Sequence, residues 1–191
     1  MNLKEFKNTL SIIQDSIYFD ENDYLREKTP DSTKLEQFIL DAESLMKDTV
    51  DVDEKYLLMG TLGNFYRIYG NPQKACKLLE GCVSIASKDG NKNRMCVSLI
   101  RLGEALKYNH NHQKALEIFD QALALCKDSN LPYLDFALQH KGKCLMEMNQ
   151  LTKGKKCLTE ALVLREQKGD GTLIESTKIA LEFLEKLKNK R

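Results

Sequence analysis

The chain has 191 residues and a formal net charge of +1, from 29 basic and 28 acidic side chains, and 42% of its residues are hydrophobic. The balanced charge argues against a nucleic-acid-binding protein, which usually presents a basic surface, and the length suits one domain or one short repeat array. No apolar run approaches the roughly 18 residues of a membrane span, and the N-terminus lacks a signal peptide's apolar region. We therefore expect a cytoplasmic protein with neither nucleic-acid nor membrane partners.

The first predicted element is an amphipathic helix near residues 2–18. Apolar side chains recur there at spacings of three and four, at Leu3, Phe6, Leu10, Ile13 and Ile17. A polar loop containing Pro30 is expected next, and Asp31 or Ser32 would cap a second helix over residues 32–48.

A repeat of about forty residues organises the middle of the chain. Gly63, Gly103 and Gly142 lie 40 and 39 residues apart. A large apolar residue follows each glycine by 16 positions, at Leu79, Phe119 and Leu158. Small residues lie 12 and 19 positions after each glycine, at Ala75, Cys82, Ala115, Ala122, Gly154 and Ala161. Such offsets place each set on one face of its own helix, so each unit is predicted to be a pair of antiparallel helices.

Turn residues separate the paired helices at 70–72, 109–112 and 149–152. Asn71 followed by Pro72 is typical of a helix N-cap and first turn. A last amphipathic helix is predicted near the C-terminus, with one face formed by Ile174, Thr177, Leu181, Leu184 and Lys188. We count nine predicted helices in an all-α chain, and the two end segments would cap the repeats.

The repeated pattern resembles the tetratricopeptide repeat, which has apolar-x2-L-G-x2-Y in its first helix and A-x3-F-x2-A in its second. The first unit matches at Met59, Leu62, Gly63, Tyr66, Ala75, Leu79 and Cys82, and the second at Leu99, Leu102, Gly103, Leu106, Ala115, Phe119 and Ala122. The third departs from it at Lys141 and Gly154, and each unit is longer than the usual 34 residues.

The resemblance implies a right-handed α-solenoid of antiparallel helix hairpins. It divides the chain into an N-terminal helical cap or degenerate repeat (1–50), three hairpins (51–169) and a C-terminal capping helix (170–191). The first helices of such hairpins line a concave groove that binds a protein or peptide. By register, the candidate partner-binding residues are Asn64, Arg67, Arg101, Glu104, Tyr108, Gln139, His140 and Lys143.

One known use of that groove, a two-carboxylate clamp for chaperone tails, fits poorly. Gly60 stands where the clamp has its first lysine, and Arg101 stands where it has its second asparagine. A chaperone tail is therefore not expected as the partner.

Catalytic and metal-binding motifs are not found, and we expect no catalytic residue, metal or cofactor. His110 and His112 are interpreted as solvated turn residues, because two histidines do not complete a metal site. The six cysteines include no C-x-x-C pair and are expected to be buried free thiols. The basic residues at 186–191 are interpreted as a solvated helix end.

The leading functional hypothesis is a non-enzymatic adaptor that binds a polypeptide in the groove. A regulatory peptide receptor, or an antagonist of one partner such as a toxin-neutralising immunity protein, is the first alternative. A self-assembling structural protein is the second, since exposed end faces of helical arrays permit homo-oligomers.

Overall fold

The computed structural model describes residues 1–189, which form nine α-helices and one two-stranded antiparallel β-hairpin. The helices are α1 (Leu3–Ser16), α2 (Ser32–Asp48), α3 (Val52–Tyr69), α4 (Pro72–Lys88), α5 (Lys92–Tyr108), α6 (His112–Asp128), α7 (Leu134–Glu147), α8 (Leu151–Lys168) and α9 (Gly171–Asn189). The strands are β1 (Tyr18–Asp20) and β2 (Arg26–Lys28), with a 3₁₀ turn at Glu21–Asp23 between them.

The helices stack as the right-handed α-solenoid that the sequence predicts. Helices α3 and α4, α5 and α6, and α7 and α8 form three hairpins, and the first helices of these hairpins also pack on one another. Helix α2 packs on α3 at one end, and α9 packs on α8 and α7 at the other. Each helix therefore buries its apolar face on its neighbours, and α3, α5 and α7 form the inner wall.

The repeated glycines are the points where paired helices approach most closely. A methyl group added to Gly63 would lie 2.6 Å from Leu79 Cγ, and one on Gly142 would lie 2.8 Å from Leu158 Cγ. A methyl group on Gly103 would overlap the Phe119 ring. The three large residues are fully buried at Leu79, Phe119 and Leu158. The glycines are thus required for space rather than for backbone flexibility.

The turns between helices repeat a left-handed residue about every 20 positions, at Gly70, Gly90, His110, Asn130, Asn149 and Gly169. An asparagine side chain then caps three of the following helices, at Asn71, Asn91 and Asn111. The left-handed residue reverses the chain in one step, and the cap satisfies a free N–H group of the next helix.

Residues 18–28 form the β-hairpin, so the prediction of a polar loop in this segment is wrong. Helix α1 ends at Ser16, before the expected residue 18. Tyr24 and Leu25 take left-handed backbone angles, with φ of 52° and 57°. Leu25 is only 2% exposed and belongs to an apolar cluster with Leu184 of α9. The hairpin is therefore part of the core, and only Asp31, whose side chain accepts the Lys34 N–H at 2.8 Å, caps α2 as expected.

None of the helices within residues 1–189 is both long and apolar enough to cross a membrane. The last two residues of the predicted C-terminal capping helix, 190–191, lie outside the described residues. The division of the chain into cap, repeats and cap stays a prediction.

Candidate functional site

The concave groove is the surface that α3, α5 and α7 present on the inner side of the solenoid. The β-hairpin lies in this groove and covers part of it, which the sequence did not predict. Two of the contacts are made to the backbone of the hairpin. Lys143 Nζ donates to the carbonyl oxygen of Leu25 at 2.8 Å, and the Glu27 N–H donates to the Tyr108 hydroxyl at 2.6 Å. The groove thus holds an extended segment through main-chain groups as well as side chains.

Charged side chains secure the same segment. Arg26 donates from Nη2 to Glu147 Oε2 at 2.6 Å and from Nε to Glu147 Oε1 at 3.2 Å. Glu27 forms an ion pair with Arg67. The guanidinium groups of Arg26 and Arg67 lie 5.0 Å and 4.8 Å from the centre of the Tyr108 ring. Paired, hydrogen-bonded charges of this kind are the form in which charge is tolerated in a protein interior.

A second layer of charges lies beneath the β-hairpin, on α5, α7 and the first residue of α6. Lys107 Nζ lies 3.0 Å from Glu104 and 3.6 Å from Glu147. His140 Nδ1 lies 3.0 Å from Glu104, and His112 Nε2 lies 2.9 Å from Glu147. Glu104 and Glu147 therefore each contact more than one basic side chain, and the charges beneath the β-hairpin form a connected ionic network.

The pKa values of these groups follow from their neighbours. Burial alone would raise the pKa of the Glu104 carboxyl, but Lys107, His140 and Arg67 outweigh it and hold the pKa well below its usual range. Burial lowers the pKa of the Lys143 amine to about 8, and the nearby Lys107 adds to this effect. Lys143 thus gives up its proton more readily than an ordinary lysine, in a network whose carboxylates stay ionised.

Beyond the hairpin the groove remains open as a cavity of about 470 Å³. Its wall includes the apolar side chains of Val97, Ile100 and Phe136. It also includes the polar side chains of Asn64, Arg101 and His140. The cavity is therefore large enough for a few side chains of a bound segment.

The structure divides the predicted partner-binding residues into two groups. Five line the open cavity, at Asn64, Arg67, Arg101, Glu104 and His140. The other three are buried, at Tyr108, Gln139 and Lys143, and Tyr108 and Lys143 bind the hairpin. Whether a partner contacts any of them stays a prediction. Sequence analysis missed Leu25, Arg26 and Glu27, because the β-hairpin contacts groove residues 40 or more positions away, which no local pattern reveals.

The histidines and cysteines do not add a further site. His110 occupies a left-handed turn position, whereas His112 is half-buried against Glu147. Within residues 1–189, no three His, Cys, Asp or Glu side chains come together as a metal site would require. The six cysteines are free, and all except Cys157 are buried.

Known proteins share this fold and part of the sequence. The family model for the tetratricopeptide repeat matches residues 42–128. The response regulator aspartate phosphatase A of Bacillus subtilis (strain 168) is 25% identical over 104 residues, which are 54% of this chain and 28% of that protein. The chain thus spans about 28% of the length of this curated relative.

Solved structures show the same solenoid at low identity. TPR-like repeats of a putative kinesin light chain from Podosopora anserina superpose with a TM-score of 0.66 at 14% identity, covering 98% of this chain and 88% of that one. The apo form of RapI superposes with a TM-score of 0.66 at 16% identity, covering 97% and 65%. Aspartyl phosphate phosphatase F from Bacillus subtilis gives 0.65 at 11% identity, covering 93% and 44%.

These likenesses establish the fold alone, while the repeat model and the glycine-centred packing establish the repeats. Stacked repeats of this type present an extended concave surface on which other proteins are bound. Residues 42–128 are therefore tetratricopeptide repeats, extended to about forty residues each.

Proposed function

We propose that the chain is a non-enzymatic adaptor that binds an extended segment of a partner polypeptide in the open part of the concave groove. The proposal rests on the way in which the groove holds the β-hairpin. Groove residues Tyr108 and Lys143 already bind main-chain groups of an extended segment. The adjoining cavity continues the same wall and combines apolar with charged side chains, a composition suited to peptide recognition.

A cytoplasmic location is part of the proposal. Six free cysteines, including Cys96 and Cys126 whose sulfur atoms lie 2.9 Å apart, are what a reducing compartment favours.

Site-specific crosslinking tests both the binding and its place. A photo-crosslinking amino acid at Val97 in the cavity wall should capture a discrete partner in cytosol of the source cells. The matched control carries the same group at Glu80, which is exposed on α4 of the opposite helix layer. Mass spectrometry of the crosslinked peptide should identify one continuous partner segment at Val97. Equal capture at both positions, or capture at Glu80 alone, would place binding outside the groove.

A second candidate is a regulatory peptide receptor. The match to a response regulator aspartate phosphatase, a regulatory protein by its name, is what suggests this candidate. Isothermal titration separates the two candidates: a receptor should bind the isolated peptide as tightly as the intact partner protein, whereas an adaptor should lose affinity when the rest of the partner is removed.

A further inference from the structure

The third repeat lacks one of the apolar side chains that pack the helices of the first two. The residue directly before the repeated glycine is Leu62 in the first repeat and Leu102 in the second, and both are buried. The third repeat has Lys141 at this position, and its partly exposed side chain forms an ion pair with the exposed Asp120 of α6. An ion pair with an exposed partner adds little stability, so the packing of the repeat does not account for the lysine.

A second departure lies on α8. The residue directly before the large buried residue of the second helix is Leu78 in α4 and Ile118 in α6, and both pack on the apolar core. In α8 this residue is Cys157, which is smaller and is the one cysteine of the six that is not buried. The two departures together leave space between α6 and α8 that larger apolar side chains would fill.

The space is a cleft of about 780 Å³ on the outer side of the solenoid, between α6 and α8, and both Lys141 and Cys157 line it. A hollow of about 330 Å³ adjoins the cleft, because the two share Lys127, Leu138 and Glu160, and we call them together the outer cleft. One face of α7 forms the floor, at Leu134, Leu138, Lys141 and Leu145. The floor therefore runs for about 16 Å, or three helical turns, and is mostly leucine.

The rims of the outer cleft carry opposite charges at one end. In the first half of each outer helix, α6 presents the exposed carboxylates of Glu117 and Asp120, and α8 presents the exposed amines of Lys153 and Lys156. Of these four, Asp120 alone is in an ion pair within residues 1–189. Towards the ends of α6 and α8 the charges are mixed, and the rim includes the exposed Val163. A partner with basic groups on one side and acidic groups on the other would complement both rims.

We infer that the outer cleft docks an amphipathic helix of a partner protein, about three turns long, whose apolar face lies between a basic and an acidic flank. The apolar face covers the leucines of α7, the basic flank lies along α6, and the acidic flank lies along α8.

A helix fits this cleft better than an extended strand does. The walls are helices whose main-chain groups bond within each helix, so the backbone of an extended segment would lie on the apolar floor without hydrogen-bond partners. A helix satisfies its own backbone and needs only side-chain contacts. The outer cleft is separate from the concave groove, and the inference does not depend on the proposed function.

Selection of helical peptides tests the inference without knowledge of the partner. The probes are hydrocarbon-stapled helices on beads, with leucine fixed at spacings of four, three and four and with the flanking positions randomised. They are sorted for binding of the fluorescent protein. The selected peptides should carry Lys or Arg on one side of the leucine stripe and Asp or Glu on the other. Selected peptides without this division of charge, or the absence of any selected peptide, would overturn the inference.

A variant with the cleft filled tests the place of binding. Lys141→Leu combined with Cys157→Ile restores the apolar residues of the other repeats, so a selected peptide should bind it about tenfold more weakly, or worse, by isothermal titration. The melting temperature should equal or exceed that of the wild type, because apolar side chains then occupy the cleft. A stable filled variant with unchanged affinity for the peptide would overturn the inference.

Cys157 reports on the cleft in the unmodified protein. Iodoacetamide should react with its thiol first, because the other five cysteines are buried. A saturating selected peptide should slow this reaction about tenfold or more, as measured by mass spectrometry. An unchanged rate would place the peptide elsewhere and overturn the inference, even if the filled variant proves unstable. A rate that falls with rising protein concentration, without peptide, would make a second copy of the chain the occupant instead.

Reversal of one rim should change which peptides are selected. Lys153→Glu combined with Lys156→Glu makes both rims acidic, so selection should then favour basic residues on both flanks. The control, Lys7→Glu combined with Lys77→Glu, changes the net charge equally at exposed positions outside the cleft and should keep the wild-type preference. An unchanged preference in the rim variant, or the same change in both proteins, would overturn the inferred partner.

Discussion

Lys143 shows how the groove balances charge at the level of one residue. The residue is 7% exposed, and its amine donates to the Leu25 carbonyl and lies 4.4 Å from the centre of the Phe19 ring. Charged groups face it from all sides, with Lys107 and Arg67 opposing its protonation and Glu104 and Glu27 favouring it. The cations and the loss of water dominate, so the folded protein releases this proton more readily than the unfolded chain.

The stability of the protein should consequently depend on pH through Lys143. The folded pKa of about 8 lies below the value of about 10.4 expected in the unfolded chain. Between these values the unfolded state binds more protons, so the free energy of unfolding should rise with pH. We expect the wild type to gain about 1 to 3 kcal/mol relative to Lys143→Met across this window.

Urea denaturation of both proteins at several pH values in the window measures this gain. The free energy of unfolding is plotted against pH for each protein, and the difference between the two plots cancels the titration of the cysteines and tyrosines. Parallel plots would mean that the pKa of the Lys143 amine is the same in the folded and unfolded states.

At the level of elements, the repeated glycine in each of helices α3, α5 and α7, namely Gly63, Gly103 and Gly142, faces one large side chain of the partner helix. The second hairpin has the tightest example, where Gly103 of α5 faces the Phe119 ring of α6. A close approach of this kind fixes the distance and the crossing of the two helix axes. The repeated hairpin shape therefore depends on space at one position per hairpin.

Gly103→Ala should destabilise the protein despite the better helix propensity of alanine. Displacing the Phe119 ring costs about 1 to 3 kcal/mol, against which alanine gains about 1 kcal/mol over glycine in a helix. Thermal unfolding should show a lower midpoint. The control Gly171→Ala, with no atom within 4 Å of the added methyl group, should leave the midpoint unchanged or raise it. Equal effects of both would show that α5 and α6 readily move apart.

The helix hairpins were predictable because the glycines and the large residues recur with the same period, and the structure confirms them. The contact between the two was not predicted, and the structure adds that Phe119, 16 positions after Gly103, fills the space over that glycine. The β-hairpin of β1 and β2 was not predictable from such a period. Each of its strands is three residues long, and its contacts reach Lys143, 118 positions from Leu25. The concave wall was thus found from sequence, and the segment that covers it was not.

At the level of the whole molecule, the β-hairpin, which lies between α1 and α2 in the chain, contacts α9 at the other end of the solenoid. The Tyr24 and Phe183 rings lie 6.4 Å apart at their centres, and Lys186 Nζ lies 3.4 Å from Glu21 Oε2. Leu25 packs into the cluster that α9 forms with Met146. Repeat arrays without such contacts are held only by neighbours in sequence and can open one repeat at a time.

Leu25→Ala should therefore loosen the C-terminal end more than the rest. We expect a loss of about 2 to 4 kcal/mol from removal of a buried leucine side chain. Hydrogen exchange should show amides of α9 opening before those of α4, whereas the wild type should open them together. The matched change Leu58→Ala, in the fully buried interior of α3, should lower protection in both helices alike. Loss of protection spread evenly in Leu25→Ala would show that the hairpin does not couple the ends.

A helical-repeat array without such a brace can change its curvature when a partner binds. Because the β-hairpin packs across the concave side, the curvature of this solenoid is set when the chain folds, before any partner binds. Little free energy is then spent on bending at association, and a partner is selected by how well it fits a rigid, shortened opening. Length and shape of the bound segment, as much as its chemistry, become the basis of discrimination.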